Sequence, residues 1–253
     1  MAREAPADAF GRTAQEYELG RPGWPEELVE RISGELGLGS DAVVLDLGAG
    51  TGKLSRSLVL RFARVFAVEP DEAMRAVLEQ VVPGAEALAG AAEAIPLEDA
   101  SVDAVYSAEA FHWFSTKRAL AEIARVLRPR GGLGLFWNIP SGELEPPLGE
   151  EAEALIDEAF RRGGAPGLPR VLSGAWRAPF AGAGFEELRE HELERELVSD
   201  REAWLANLLS VSSIAVQPEE ERAAFARKLR ELVPPGEYRR HLRTVAYWTR
   251  LAG

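Results

Sequence analysis

The stretch Val43–Leu58, VVLDLGAGTGKLSRSL, decides the fold, because an apolar run, a glycine-rich turn and a helix-like segment follow one another. The nearly all-apolar run Ala42–Leu47 is typical of a parallel strand that is buried on both faces. The glycines of the turn tolerate positive φ and let a ligand approach the backbone closely. The segment Gly52–Arg61 is predicted to be a helix, whose first N–H groups are free to bind a ligand. A strand, turn and helix in this order can hold a nucleotide.

Strand-like and helix-like segments continue to alternate after this unit. Further strands are predicted at Val65–Val68, Ala85–Ala89, Val102–Ser107 and Leu133–Trp137, and helices at Asp71–Val82 and Thr116–Leu127. Repeated strand–helix units predict an α/β fold, with a Rossmann-like, mostly parallel sheet and helices on both of its faces. Ligands of such sheets bind outside the carboxyl ends of the strands, where the strand order reverses.

The regular alternation of strand-like and helix-like segments ends after Asn138. Predicted loops are Ser141–Gly149 and Gly163–Pro169, predicted helices Glu150–Arg161, Arg201–Ser212 and Glu219–Leu232, and predicted strands Phe185–Val198 and Arg239–Leu251. We therefore expect a seven-stranded sheet with a helical insertion, or cap, between its last two strands. Residues 1–140 are expected to form a ligand-binding core with an N-terminal lid segment. Residues 141–253 would complete the sheet and supply a cap or substrate region at about residues 200–233.

Composition excludes several kinds of site and partner. The 253 residues contain no cysteine, which excludes disulfides, thiolate metal sites and a cysteine nucleophile. The net charge of −12 disfavours a nucleic-acid partner. No apolar run approaches the roughly 18 residues of a membrane span, and MAREAPADAFGR lacks the order of a signal peptide. We expect a cytoplasmic protein without a membrane partner, and the spacing of ligand-type residues predicts no metal site.

The spacing of the turn distinguishes between nucleotide ligands. The dinucleotide pattern G-x-G-x-x-G would place its third glycine where Lys53 stands. The pattern is led instead by Asp46, and Glu69 ends the second strand about 20 residues further on, where a carboxylate can accept both ribose hydroxyls. A P-loop sequence is absent. The turn has no feature that is specific for phosphate and therefore indicates a nucleoside ligand.

Further motifs accompany the turn at regular intervals. They are LDLGAGTGKLS (Leu45–Ser55), VEPDEAM (Val68–Met74), GAAEAIPLEDASVDAVYSAEAFHWF (Gly90–Phe114), RVLRPRGGLGLFW (Arg125–Trp137) and AFGRTAQEYELGRPGWP (Ala9–Pro25). Together they resemble the class I S-adenosylmethionine-dependent methyltransferases, in particular the methyltransferase type 11 domains, over roughly the first 140 residues. The AFHWF and RPGWP stretches also resemble the trans-aconitate-like branch, whose members methylate small carboxylic acids.

The resemblance implies S-adenosyl-L-methionine as the cofactor, with S-adenosyl-L-homocysteine as its product. The implied cofactor-binding residues are Tyr17, Arg21, Asp46, Gly48, Ala49, Gly50, Gly52, Glu69, Pro70, Met74, Ala92, Glu93, Ser107 and Ala108. By resemblance Glu69 binds the ribose, Asp46 lies near the ammonium of the methionine part, and Arg21 pairs with its carboxylate. Ala91 stands where many members carry Asp, so the backbone or Glu93 must contact the adenine amino group.

Two features have both a functional and a structural interpretation. His112, in the AEAFHWF stretch, is the candidate catalytic base; alternatively it packs on Trp113 and bonds the backbone. The basic cluster Arg239–Arg243 (RRHLR) attracts an anionic substrate or forms a solvated strand face, and we favour the second interpretation.

Methyl transfer to a small-molecule acceptor, with carboxylic acids as one acceptor class, is the first functional hypothesis. A nicotinamide-dependent oxidoreductase is an alternative, although Lys53 argues against it. A non-catalytic module that binds S-adenosylmethionine is another, and an exposed apolar patch around residues 204–214 would support it.

Overall fold

A computed structural model gives the structure of the protein and describes residues 11, 13–164 and 167–253. The residues that were compared with a signal peptide lie outside the described residues, apart from position 11. The first part of the family-like segment Ala9–Pro25 also lies outside them, at positions 9, 10 and 12.

One seven-stranded sheet organises the described part of the chain, with the strand order β3-β2-β1-β4-β5-β7-β6. The strands are β1 (Val43–Leu47), β2 (Arg64–Val68), β3 (Ala85–Leu88), β4 (Val102–Ala108), β5 (Leu127–Pro140), β6 (Arg189–Asp200) and β7 (Glu237–Arg250). Strands β1 to β5 are parallel, and β7 lies antiparallel between β5 and β6. The order reverses between β1 and β4, so the expected ligand position lies at their carboxyl ends.

Helices connect these strands. They are α1 (Ala14–Gly20), α2 (Glu26–Glu35), α3 (Ser55–Val59), α4 (Glu72–Val81), α5 (Phe111–Phe114), α6 (Lys117–Val126), α7 (Glu150–Gly163), α8 (Leu168–Leu172), a 3-10 helix (Ala175–Phe180), α9 (Arg201–Leu209), α10 (Ser212–Ala215) and α11 (Glu219–Leu232). Asp71 and Thr116 cap α4 and α6 by accepting backbone N–H bonds.

Helices cover the sheet on both faces, which confirms the predicted fold class. On one face the apolar side of α6, with Leu120 and Ile123, packs on β4 and β5. On the other face α2 and α3 pack on β1 and β4 through Leu28, Ile32 and Leu58. Strands from both sides of residue 140 share this sheet, and the division of the chain at that residue remains a prediction.

Several predicted boundaries were wrong; for example, the strand predicted at Leu133–Trp137 extends over Leu127–Pro140. The helix after the glycine turn begins at Ser55 because Gly52 has φ +84°, which no α-helix contains. The predicted loop Gly163–Pro169 is partly helical, since α7 continues to Gly163 and α8 begins at Leu168 with proline in its first turn. The helix predicted over Arg201–Ser212 ends at Leu209, and the separate short helix α10 follows it.

Helices α9, α10 and α11 lie between β6 and β7 and form the predicted cap. They pack on α7 through a separate apolar cluster, in which Trp204 stacks on Tyr238 with ring centroids 5.4 Å apart. Leu205 and Ile214 are also buried. The apolar stretch around residues 204–214 therefore faces the interior and does not form the exposed patch of the binding-module hypothesis. Within the described ranges, no helix combines the length and apolarity needed to cross a bilayer.

Candidate active site

The glycine turn after β1 is shaped by close backbone packing. Gly48 and Gly50 have φ +73° and +57°, in the left-handed region that favours glycine. A Cβ on Gly48 would lie 2.6 Å from the Cβ of Ala110. A Cβ on Gly50 would meet only the Tyr17 ring, 3.9 Å away. The turn is therefore tightly packed at Gly48, whereas a Cβ at Gly50 would lie at ordinary contact distance from the Tyr17 ring.

Glu69 is fixed at the end of β2 by the same turn. Its Oε2 accepts the Gly50 N–H at 2.9 Å, and its Oε1 accepts the Asp71 N–H at 2.9 Å. Burial raises the pKa of Glu69, and the hydrogen bonds from Asp71 and Gly50 oppose that rise. The carboxyl is therefore held in one orientation beside the turn.

Two buried polar atoms at the ends of β1 and β4 lack partners among the described residues. Asp46 accepts the Ser55 hydroxyl at 2.6 Å through Oδ2, whereas its Oδ1 has no hydrogen bond. The Ser107 hydroxyl is also buried without a partner. Burial raises the pKa of Asp46 to about 7. An unsatisfied buried group costs about 1–3 kcal/mol, so these atoms fit a polar, cationic ligand group better than an empty site.

A cavity of about 320 Å³ lies at the carboxyl ends of β1, β2 and β4. The predicted cofactor residues that line it are Tyr17, Gly48, Gly50, Glu69, Pro70, Met74, Ala92, Glu93 and Ala108. The predicted residues outside its lining are Arg21, Asp46, Ala49, Gly52 and Ser107. Asp46 and Ser107 are buried in the strands, and Gly52 packs against Val82 and Leu78 of the α4 region.

A second cavity, of about 290 Å³, adjoins the first. Tyr17, Glu109 and Trp113 line both cavities and form their common wall. The segment after α1, the end of β5, α7, α8, the cap and β7 supply most of the other lining residues of the second cavity. In the described part of the chain, no group of three or more His, Asp or Glu side chains could hold a metal ion.

The match to known proteins decides the family. A family described as "Methyltransferase domain" matches residues 45–135. An uncharacterized methyltransferase-like protein of Schizosaccharomyces pombe is 34% identical over 235 residues, covering 92% of this chain and 88% of the relative. The chain belongs to the class I S-adenosylmethionine-dependent methyltransferases.

Two further comparisons agree with this family. A solved structure assigned as a type II methyltransferase of Anaeromyxobacter dehalogenans has a TM-score of 0.64 and 28% identity, covering 92% of this chain and 98% of that one. The malonyl-[acyl-carrier protein] O-methyltransferase of Serratia marcescens is 36% identical over 147 residues, covering 56% of each chain. The methyltransferase domain thus extends across the glycine turn and the strands that surround the first cavity.

Arg21 of the methyltransferase lines the second cavity and not the first. Its Nε donates to the Ser210 hydroxyl at 3.0 Å and its Nη2 to the Ser210 carbonyl at 3.1 Å. The guanidinium also lies 5.3 Å from the centre of the Tyr17 ring. Arg21 therefore connects the end of α1 to the cap, next to Tyr17.

His112 lies in the wall of the second cavity and is buried. Its Nδ1 accepts the indole N–H of Trp137 at 3.1 Å, and its ring packs on Trp113 with centroids 4.9 Å apart. The hydrogen bond thus goes to a side chain and not to the backbone. Burial, together with Arg170 and Arg21, lowers the pKa of His112 to about 3. The imidazole is neutral, and because Nδ1 accepts, its proton is on Nε2.

Glu109 follows β4 and was missed by the sequence analysis. It has φ +55°, an uncommon conformation for a residue with a side chain, and such strain is concentrated at functional sites. Its Oε1 accepts the Asn138 N–H at 2.7 Å. Burial raises the pKa of Glu109, while Arg21 and the bond from Asn138 oppose the rise. The sequence signal was only its position next to Ala108.

Helix α1 covers both cavities through Tyr17. Lys53 donates to the Glu18 carbonyl at 2.6 Å, and Arg222 of the cap lies 3.4 Å from the Glu16 carboxylate. A Cβ on Gly20 would lie 1.9 Å from the Asn207 backbone nitrogen, so α1 packs tightly against α9. The lysine that replaces the third dinucleotide glycine therefore anchors this helix.

Proposed function

We propose that this methyltransferase transfers the methyl group of S-adenosylmethionine to a carboxylate oxygen of a small organic acid. The observation that carries the proposal is the common wall of Tyr17, Glu109 and Trp113, which brings a donor cavity and an acceptor cavity together. Each cavity is of a size that suits a small molecule. The net charge of −12 supports a small acceptor over a nucleic acid.

The first cavity is proposed to hold the cofactor. Glu69 would bind the ribose hydroxyls, and Pro70 and Met74 would line the adenine. The unpartnered Asp46 Oδ1 would lie near the ammonium, directly or through water. When bound, the cofactor supplies a methyl group that its sulfonium already activates. The residues of the chain therefore have to bind, orient and exclude water.

The chemistry of the second cavity supports an acceptor that is already ionised. His112 cannot remove a proton efficiently, because its pKa of about 3 makes it a weak base. A carboxylate needs no base: its oxygen supplies the electron pair of the new O–C bond, sulfur keeps the pair of the broken S–C bond, and no proton moves. Positioning alone can lower such a barrier by about 7–11 kcal/mol in favourable cases. The name of the Serratia relative also specifies an O-methyltransferase.

A hydroxyl acceptor is the second candidate, and Glu109 is the observation that favours it. Its Oε2 has no hydrogen bond among the described residues and lies at the common wall. An ionised Glu109 would take the hydroxyl proton, whereas a protonated Glu109 would donate a hydrogen bond to a carboxylate.

Release of S-adenosylhomocysteine tests the two candidates on paired small acids and their matching alcohols. We expect turnover of the acids, and Glu109→Gln to keep activity within a few-fold because the amide still donates. Turnover of alcohols, with a loss of about 10²–10⁴ in Glu109→Gln, would establish the hydroxyl candidate instead.

Binding measurements separate the remaining alternatives. S-adenosylhomocysteine should stabilise the protein against heat and NAD should not. Tight binding without turnover of any acid or alcohol would contradict the proposed reaction and favour a binding module. Stabilisation by NAD alone would contradict the cofactor.

A further inference from the structure

The basic cluster on β7 is divided by strand alternation, which places successive side chains on opposite faces. Arg239, His241 and Arg243 face one side, and each has a glutamate partner there: Glu196, Glu145 at 3.5 Å and Glu192 at 3.4 Å, respectively. Arg240 and Leu242 face the other side, and both line the second cavity. The solvated-face interpretation therefore holds for the first set, while Arg240 has a different environment.

Arg240 carries a charge without a counter-charge. Among the described residues its side chain has no ion pair and no hydrogen bond, and its Nε is buried without a partner. Burial lowers the pKa of Arg240, and the nearby Arg21 and Arg195 lower it further. Arg240 is half-buried and its Nε is enclosed, so a guanidinium without a carboxylate partner in the wall of this cavity is suited to an anionic ligand.

Arg195 enlarges the positive region from the neighbouring strand. The register pairs it with Leu242 and pairs Arg240 with Leu197, so both arginines lie on the same face of the sheet. Arg195 donates to the Asn138 side-chain oxygen at 3.0 Å, and Asn138 lines the second cavity. Its Nε is buried without a partner. Arg21 is the third guanidinium of this group.

Negative charge in this cavity is scarce. Glu109 is the acidic residue among the described residues of its lining, and Lys53 is already paired with Glu18. The lining holds two guanidiniums, Arg21 and Arg240, against one carboxyl, and Arg195 adds a third positive charge next to Asn138, in a chain whose net charge is −12. A ligand with two negative charges would be complementary to such a pocket.

We propose that Arg240 is a specificity-determining residue that binds an anionic group of the acceptor, a carboxylate other than the one that is methylated. The inference rests on the proposed function and makes the acceptor a dicarboxylate. Arg240 does not line the cofactor cavity, so the group it binds lies away from the common wall where the methyl group arrives. A guanidinium binds a carboxylate through two parallel N–H bonds, which also fixes the orientation of the acceptor.

Calorimetry on the protein loaded with S-adenosylhomocysteine tests the site. Short dicarboxylates, such as malonate, succinate and glutarate, are titrated beside their neutral diamides and beside inorganic phosphate. We expect at least one dicarboxylate to bind ten-fold or more tightly than its diamide. Arg240→Gln should weaken it by about 10–150-fold, the loss expected for hydrogen bonds to a charged group.

Arg243→Gln is the matched control, because it makes the same change on the opposite face of the same strand. It should leave dicarboxylate binding unchanged, and Arg240→Lys should recover part of the affinity. Arg240→Gln should unfold at the same or a higher temperature than the unsubstituted protein, since it removes an unpaired charge. The variant is therefore expected to fold.

Several outcomes would overturn the assignment. The assignment would be wrong if dicarboxylates and diamides bound equally well, or if Arg240→Gln and Arg243→Gln had equal effects. It would also be wrong if phosphate bound and no dicarboxylate did. If monocarboxylic acids were methylated at a rate that Arg240→Gln did not change, the proposed function would stand and this inference would be wrong. Dicarboxylate binding that depends on Arg240 without any methyl transfer would support the site and contradict the proposed function.

Discussion

The two cavities on either side of Tyr17, Glu109 and Trp113 differ in the sign of their charge. The charged side chains that line the first are carboxylates, Glu69 and Glu93 together with the shared Glu109. The second is lined by Arg21, Lys53 and Arg240 in addition to Glu109. A cationic donor matches the first cavity and an anionic acceptor the second.

This separation of charge has a chemical reason. Methyl transfer from a sulfonium to a carboxylate removes one positive and one negative charge, so the reacting groups become less polar as the reaction proceeds. A site that excludes water favours such a reaction, because solvation of the two charged reactants is replaced by fixed protein groups. If the two cavities act as separate electrostatic sites, a substitution in one should leave ligand binding in the other unchanged.

The largest effect is expected at Glu69. Glu69→Ala removes the carboxylate proposed to accept the ribose hydroxyls, and should weaken S-adenosylhomocysteine by about 10–150-fold in calorimetry. Glu86→Ala, on the exposed face of β3 with Arg64 as its partner, is the control and should bind normally. Dicarboxylate binding at saturating S-adenosylhomocysteine should not change. Unaltered cofactor affinity in Glu69→Ala would contradict the assignment of the first cavity.

The next effect concerns protons at Asp46. Its pKa of about 7 means that the carboxyl is mostly protonated at pH 6, and a neighbouring ammonium favours the ionised form. S-adenosylhomocysteine should therefore release up to about one proton at pH 6, and its affinity should rise by at most about tenfold per pH unit up to pH 7.

Calorimetry in buffers of different ionisation enthalpy measures this release. Asp46→Asn should abolish it and flatten the dependence of affinity on pH. The same proton release in the variant would place the titrating group elsewhere.

The smallest effect is expected at His112. With a pKa of about 3, it should produce no inflection in the rate between pH 5 and pH 8. His112→Asn keeps an acceptor for the Trp137 N–H but loses the Nε2–H, and should lower kcat/KM by about 2–10-fold, the value of one neutral hydrogen bond. His112→Gln keeps a donor in place of the Nε2–H but loses the acceptor for the Trp137 N–H. It should therefore lower the stability of the protein more than its activity. An inflection near pH 6.5 that disappears in both variants would restore His112 as a base.

The two cavities also differ in how far the sequence predicted them. The first is built from the ends of successive strands, so local motifs around Gly48, Glu69 and Ala92 were enough to bring its residues together. The second combines α1, the cap and β7, which are separated by some 200 residues in the chain. Arg240 was placed within a cluster judged to be solvated, because the strand pairing that separates it from Arg239 cannot be read from composition.

Backbone conformation explains the remaining differences. Glu109 was missed because a left-handed residue after a strand leaves no signal unless it is glycine or asparagine. The pairing of Arg21 with the cofactor, which the resemblance implies, stays a prediction, while its hydrogen bond to Ser210 joins elements that are distant in the chain and has no signal in the sequence. Local patterns thus predicted the strands and the turn, whereas contacts between distant elements determined the second cavity.

Helix α1 supplies Tyr17 to both cavities and is fastened at Lys53, Ser210 and Arg222. If a ligand can enter or leave either cavity only when this helix moves, the movement breaks the contacts of α1 with the glycine-turn region and with the cap at the same time. Departure of the spent donor and of the methylated product would then depend on one shared opening event, and a substitution in α1 would slow or speed both departures by the same factor.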